Sequence, residues 1–303
     1  SESVPRAIEG FQRAAALDPQ YPAPHIELGA CYLILWYFGL RSGKEMTPLI
    51  AREARLAQEL GHFTPRGNGL LGVIAAAYNY DREEAARLFE ASLKENVGSD
   101  AEARWSYATF YLAPAGRFDE ALRLLELGID ADPLNTTWRG ATAQYLNMAG
   151  RHELALQRTA EIMALDSKYW VAYLYAAEAY AALGRWPEAR AAAETAFGAA
   201  PWSPRANGML AAALTHTGDR PRAEQLTAAM ARSPQPHWGP QGLVLYSLLL
   251  GDIDAAAHWY ELSIEQRDAW VMIQANGWLT RELRASTHWP RLATLMNLNA
   301  DSD

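Results

Sequence analysis

Glycines recur along this chain at a fixed interval. Gly116, Gly150, Gly184 and Gly218 stand 34 residues apart, and Gly251 follows 33 residues later. Five residues after each comes an alanine (Ala121, Ala155, Ala189, Ala223 and Ala256), and units close at Asp132-Pro133, Asp166-Ser167 and Ala200-Pro201. A period of this length means a stack of equivalent supersecondary units, each burying its apolar face against its neighbours. That excludes most ordinary folds before any single residue is considered.

The stretch YAALGRWPEARAAAETAFGAAP shows what one unit is. An amphipathic segment stops at Leu183-Gly184, where glycine can adopt the left-handed conformation that ends a helix. Pro187 falls in the first turn of the next helix, where a missing N–H costs nothing. Ala189, Ala193 and Ala196 then share one helical face and are small enough to let two helices approach closely. Pro201 ends the segment, so each unit is a helical hairpin.

These marks resemble the tetratricopeptide repeat, a 34-residue helix-turn-helix unit. The resemblance is carried by Tyr173, Ala176, Ala177, Tyr180, Gly184, Ala189, Ala193, Ala196 and Pro201 in one unit. A second unit carries it in Trp105, Ala108, Thr109, Leu112, Gly116, Ala121, Leu125, Gly128 and Pro133, and a third in His25, Leu28, Gly29 and Tyr32. It implies an all-α, α-α superhelix in a single domain over 1–303. Extending the register gives about seven hairpins, near 22–62, 65–97, 102–133, 136–167, 170–201, 204–235 and 237–267. Residues 1–20 read as a truncated first repeat with helix B only, carrying Ala7, Phe11 and Ala14 at helix B spacing. Residues 268–303 lose the period and read as a helical cap, with Trp270, Trp278, Leu283, Trp289, Leu292 and Leu295 to cover the last repeat.

The tail also resembles the C-terminal half of bacterial multidomain regulators, in which a winged-helix, kinase or cyclase domain precedes the repeats. Asp268, Trp270, Trp278, Leu279, Leu283, Arg284, Arg291, Leu292 and Leu295 carry that likeness. His288, Trp289 and Pro290 replace the usual acidic-proline dipeptide.

One unit is irregular. Tyr32 to Ile50 is twice the nine-residue step of the other hairpins, which implies an insertion near 33–46 holding Trp36, Tyr37 and Phe38. The run CYLILWYFGL is half the length needed to span a bilayer, so the expectation is core packing against the neighbouring hairpin rather than a membrane segment.

The net charge is −8 with a pI near 5.4, and three lysines are present. No basic stripe is available to neutralise phosphates, so nucleic acid is not expected as a partner. The single cysteine, Cys31, rules out an internal disulfide framework and fits a reducing, cytoplasmic compartment. GNGLLG (67–72) matches a dinucleotide fingerprint in letters, but it follows a helix and turn where the chemistry requires a strand. GLRSGKE (39–45) has the wrong spacing for a phosphate-binding loop, and Glu45 stands where Ser or Thr should reach magnesium. The seven histidines form no metal-ligand spacing, and no nucleophile elbow or carboxylate pair is present. No catalytic residue, cofactor or metal is therefore expected.

By the resemblance, helix A of each repeat lines the concave face. The inward positions are Arg66, Ser106, Phe110, Gln144, Asn147, Leu174, Glu178, Arg205, His216, Trp238 and Gln241. The expected function is a scaffold or sensory module that binds a protein or peptide there. The groove lacks the lysines and asparagines with which chaperone-binding relatives grip a terminal carboxylate. Two alternatives stay open: a small-ligand receptor or enzyme around Asn147, Glu178 and His216, and a self-association module forming a homo-oligomer.

Overall fold

The structure is a computed structural model and describes residues 3–61, 64–94 and 101–298. Among these the chain is helical and contains no strand. A first helix, α1 (Ser3–Leu17), precedes seven hairpins: α2 (Ala23–Tyr37) with α3 (Gly43–Glu59), α4 (Thr64–Val73) with α5 (Arg82–Lys94), α6 (Ala101–Tyr107) with α7 (Phe118–Ala131), α8 (Thr136–Met148) with α9 (His152–Leu165), α10 (Trp170–Ala182) with α11 (Trp186–Ala199), α12 (Pro204–His216) with α13 (Arg220–Ala231), and α14 (Gly239–Leu250) with α15 (Ile253–Glu265). Four short elements follow: α16 (Ala269–Ile273), a 3-10 turn (Trp278–Thr280), α17 (Arg281–Arg284) and α18 (Trp289–Leu295).

The two helices of a hairpin differ in how they are buried, and this sets the layers. In α8, α10, α12 and α14 most residues are buried, on all faces, which places these helices inside. Their partners α9, α11 and α13 bury one narrow stripe, such as Ala189, Ala193 and Ala196 of α11, and form the outer wall. The periodic glycines do what their spacing implied: Gly116, Gly150, Gly184, Gly218 and Gly251 all have φ between 71° and 91° and close the inner helix of their hairpins. The second hairpin carries no glycine there. Its inner helix runs from α4 into a π-helical turn (Ile74–Asn79) and ends on Tyr80 at φ 57°. Gly67, Gly69 and Gly72 lie within α4, and a β-carbon at Gly72 would stand 3.1 Å from the Phe89 ring. That is helix packing, not a phosphate loop.

Of the insertion, Trp36 packs on the neighbouring hairpin, where it meets Tyr78 edge to face at 6.3 Å, but Tyr37 and Phe38 reach further. Helix α2 continues without a break to Tyr37, and the extra turn carries aromatics into the middle of the molecule. Tyr37 meets Trp105 and Phe110 edge to face at 5.6 and 6.2 Å, in the third hairpin. Phe38 meets Trp170 at 5.7 Å and Trp202 at 6.4 Å, in the fifth and at the start of the sixth. These residues do join the core, but of hairpins much further along the chain than expected.

The tail departs further from a terminal cap. Leu283, Trp289, Leu292 and Met296 pack beside α15, as an end cover should, while Leu295 is exposed. Residues 268–280, by contrast, run along the inner helices. α16 touches α2 and the π-turns that follow α4 and α6, and the 3-10 turn touches α8 and α14. Asn276 Nδ2 donates to the Pro114 carbonyl at 2.7 Å, and Trp278 packs edge to face on His152 at 4.7 Å. The superhelix is closed on itself. Its accessible surface of 13322 Å² is close to the roughly 12,700 Å² of a compact globule of this mass.

At the other end α1 is covered on one flank only. Ala7, Phe11 and Ala14 occupy the register that Ala189, Ala193 and Ala196 hold in α11, yet none of them is fully buried.

Inner helices α12 and α14 approach through glycine. A β-carbon on Gly208 would lie 2.1 Å from the Gly242 carbonyl oxygen, whereas one on Gly198 of α11 meets nothing within 4 Å. Gly208→Ala is expected to destabilise the protein by about 2 kcal/mol or more through overpacking. Gly198→Ala should stabilise it by about 0.5–1 kcal/mol through helix propensity. Paired urea titrations followed by circular dichroism check both signs.

Candidate functional site

The inner face is where sequence reasoning placed function, and it is covered rather than open. Phe110, Gln144, Leu174 and Gln241 are each 1% exposed, and Ser106, Asn147 and Arg205 are buried as well. Five of the eleven expected residues come together around the axis: Gln144 and Asn147 of α8, Glu178 of α10, Arg205 of α12 and Gln241 of α14. Helical spacing within each repeat points their side chains inward, and the stacking of α8, α10, α12 and α14 sets them side by side.

Hydrogen bonds, together with two rings set against Arg205, link them into a network. Tyr37 and Tyr175 both donate their hydroxyls to Gln144 Oε1, at 3.1 and 3.0 Å. Asn147 Nδ2 donates to the Tyr175 carbonyl at 2.8 Å, and its Oδ1 lies 3.3 Å from His152 Nδ1. Arg205 Nη2 donates to Glu178 Oε1 at 2.8 Å, and its guanidinium lies 5.3 Å from the ring centres of both Tyr175 and Trp270. Gln241 Nε2 donates to Asp268 Oδ1 at 3.1 Å, and the same oxygen accepts the Trp270 amide at 2.8 Å. Trp36 Nε1 donates to the Arg267 carbonyl at 2.8 Å.

Burial has opposite effects on the two central charges. It works against the Arg205 guanidinium, but Glu178 and the tyrosines Tyr175 and Tyr37 outweigh it and hold the group charged. At Asp268 burial dominates. It pushes the carboxyl up to about 7, against the hydrogen bonds from the Trp270 amide and Gln241 and the attraction of Arg205. Elsewhere burial lowers the His152 imidazole and raises the Cys31 thiol to about 11, which leaves Cys31 a packing residue rather than a nucleophile.

The other expected residues lie apart. Arg66 of α4 bridges Glu27 of α2 at 2.8 Å and Glu102 of α6, tying three inner helices together at one edge. Ser106 lies on that side, whereas Phe110 packs edge to face on Tyr37 at 6.2 Å and so borders the centre. Trp238 donates its indole N–H to the Trp202 carbonyl at 2.6 Å. His216 is exposed, stacks on Trp186 at 3.6 Å and reaches the Leu249 carbonyl at 3.2 Å. It does not join Asn147 and Glu178. Tyr37, Tyr175, Asp268 and Trp270 complete the centre, and sequence reasoning did not place them there. For Asp268 and Trp270 the available signal was a polar and an aromatic residue in a tail that had lost the repeat period.

Among the described residues no group of three or more His, Cys, Asp or Glu could hold a metal ion. No helix there is long and apolar enough to cross a membrane. What the centre offers chemically is recognition. One carboxylate, one indole and one backbone carbonyl of residues 267–270 are each met by a side chain from a different inner helix.

Residues 114–164 match the family model described as tetratricopeptide repeat. Over 131 residues, 43% of this chain, the sequence is 24% identical to the transcriptional regulator HilA of Salmonella typhimurium and to that of Salmonella paratyphi A. The matched stretch is 23% of those relatives, so the chain spans less than a quarter of their length. A tetratricopeptide repeat protein from Parabacteroides merdae superposes with a TM-score of 0.53 at 14% identity, covering 91% of this chain and 98% of that one, and it shares the fold. A thermophilic tetratricopeptide repeat protein from Thermus thermophilus gives a TM-score of 0.44 at 23% identity over 64% of this chain and 98% of that one.

Two outcomes follow from the buried charges. Because the Asp268 carboxyl ionises near 7 when folded and near 3.8 when unfolded, its contribution is fully present below pH 4 and is lost as pH rises to about 7. The loss is at most about 4 kcal/mol. Asp268→Asn should flatten the fall in urea midpoint between pH 5 and 8, which titrations at both pH values would register. Arg205→Ala leaves the part-buried Glu178 without its partner and should cost about 3 kcal/mol, with the double variant Glu178→Ala/Arg205→Ala losing less than the sum of the singles.

Proposed function

We propose that this chain, a member of the tetratricopeptide repeat family, is a protein-interaction or sensory module that takes up a polypeptide segment on its inner surface. The observation that carries the reading is that this surface already holds one. Residues 267–270 are bound by Trp36, Arg205 and Gln241 as a peptide ligand would be, through backbone, aromatic and acidic contacts from three separate helices. The chemistry is that of recognition, so the module is read as non-enzymatic, without metal or cofactor. Its partner is read as protein rather than nucleic acid or membrane.

We place the module in a larger bacterial signalling or transcriptional regulator acting in the cytoplasm. Support comes from the match to proteins named as transcriptional regulators, most of whose length lies outside the matched stretch, and from the tail likeness around Asp268 and Trp270. A second reading, self-association, is favoured by the half-covered face of α1, where Ala7, Phe11 and Ala14 could pack against a second copy.

A thermal-shift panel of nucleotides, divalent metals and metabolites, run beside affinity capture with reconstitution of any partner from purified components, separates these readings from the small-ligand alternative. The expected result is a reconstituted protein complex and a flat panel. A small molecule at one hundred times its dissociation constant would stabilise the chain by about 2.7 kcal/mol, and such a shift would overturn the module reading. Light scattering on the wild type and Phe11→Ser tests the second reading: a dimer that Phe11→Ser dissolves supports it, and a monomer at all concentrations rejects it.

A further inference from the structure

We propose that residues 268–280 are a self-ligand of the superhelix, and that the inner surface is a site for an external peptide carrying an acidic residue two positions before a tryptophan. The inference rests on the reading above and specifies the partner for the same surface.

The recognised pattern consists of an acid, an indole and the carbonyl that precedes the acid. Gln241 of α14 takes the acid of Asp268, Arg205 of α12 lies over the Trp270 ring at 5.3 Å, and Trp36 of α2 takes the carbonyl of the residue before the acid. Acid and indole are two positions apart, and the Asp268 side chain caps the short helix that presents the ring. A separate peptide could present the same three groups, because the side chains that read them lie on α2, α12 and α14, distant in sequence from the segment.

The resident segment fits incompletely. Asp268 Oδ2, Trp270 Nε1, Gln241 Oε1 and Arg205 Nε are all buried, and none has a hydrogen-bond partner among the described residues. Two of these atoms accept and two donate, and they belong to the very pairs that make the contact. Groups desolvated without compensation weaken a complex, and a ligand that satisfies them gains over one that does not. The entry to the segment is strained as well: Arg267 has φ 57°, a left-handed conformation that a residue with a β-carbon adopts at a cost. Two conditions for displacement by a competitor of like chemistry are therefore met. The polar contacts of the resident segment are incompletely satisfied, and its acid, indole and carbonyl are read by side chains, while Ala269, Val271, Met272 and Ile273 are buried in the apolar cores.

The test uses the full chain and a fluorescein-labelled peptide of residues 266–280. Asp268→Ala/Trp270→Ala removes the two anchoring side chains and leaves the sequences of the inner helices unchanged. The peptide should bind this variant at least tenfold more tightly than the wild type and raise its melting temperature. The same peptide carrying Trp270→Ala should do neither. Equal binding to both chains, or no binding to a variant that keeps its helical circular dichroism, overturns the proposal. Native-state hydrogen exchange on the wild type covers the case in which the variant does not fold. The amides of 269–273 should exchange through an opening that precedes unfolding of α10 and α12. Exchange of these amides only on global unfolding overturns the proposal, and a reconstituted partner bound elsewhere on the same chain would then leave the module reading standing.

Discussion

The packing of α16 across the axis is the constraint on which the rest of this structure depends. Five residues separate two cores that would otherwise face water. Ala269 and Ile273 lie in the apolar cluster of the first hairpins, while Trp270, Val271 and Met272 lie in that of the last. Hairpin stacking alone makes each unit dependent on its neighbours only. A segment inserted between distant units adds long-range contacts, so hairpins one and seven share a fate that a plain solenoid would not impose on them. The close approach at Gly43 belongs to the same seam. A β-carbon there would stand 2.7 Å from the Arg267 carbonyl, so the insertion and the tail meet at a position that only glycine fits.

This closure explains why a polar network sits where a solenoid usually keeps a wet groove. Gln144, Asn147, Glu178, Arg205 and Gln241 would be ordinary solvated side chains on an open inner surface. Once Trp36, Tyr37 and Trp270 cover them, each must find a partner within the protein, and most do so through tyrosine hydroxyls, backbone carbonyls and one part-buried ion pair. The balance is imperfect, which is the usual state of buried networks that also have a recognition task. Asp268 is the clearest case, a carboxyl whose two oxygens are treated differently and whose charge the site only half supports.

The local grammar of the fold was legible in the sequence. The glycines at 34-residue spacing, the alanine five residues on and the proline stops report backbone conformation and close helix contact, which are set within one hairpin. The second hairpin was harder to see for a local reason: Tyr80 turns it, and a tyrosine held left-handed carries no sequence signature. The inward direction of Gln144, Glu178 and Gln241 was also legible, because periodicity fixes helical facing. What covers them was not, since closure is decided by contacts between Trp36 and Arg267, 231 residues apart, and no periodic signal encodes it. His216 shows the same limit from the other side. Its register suggested the groove, but the stacking on Trp186 holds it at the hairpin turn.

Small-angle X-ray scattering on the purified chain reports whether the superhelix is closed by its own tail. A closed molecule of this length should give a radius of gyration of about 19 Å with a single-peaked distance distribution. A radius several ångströms larger, with the long-tailed distribution of an open solenoid, would mean that the tail does not close the superhelix.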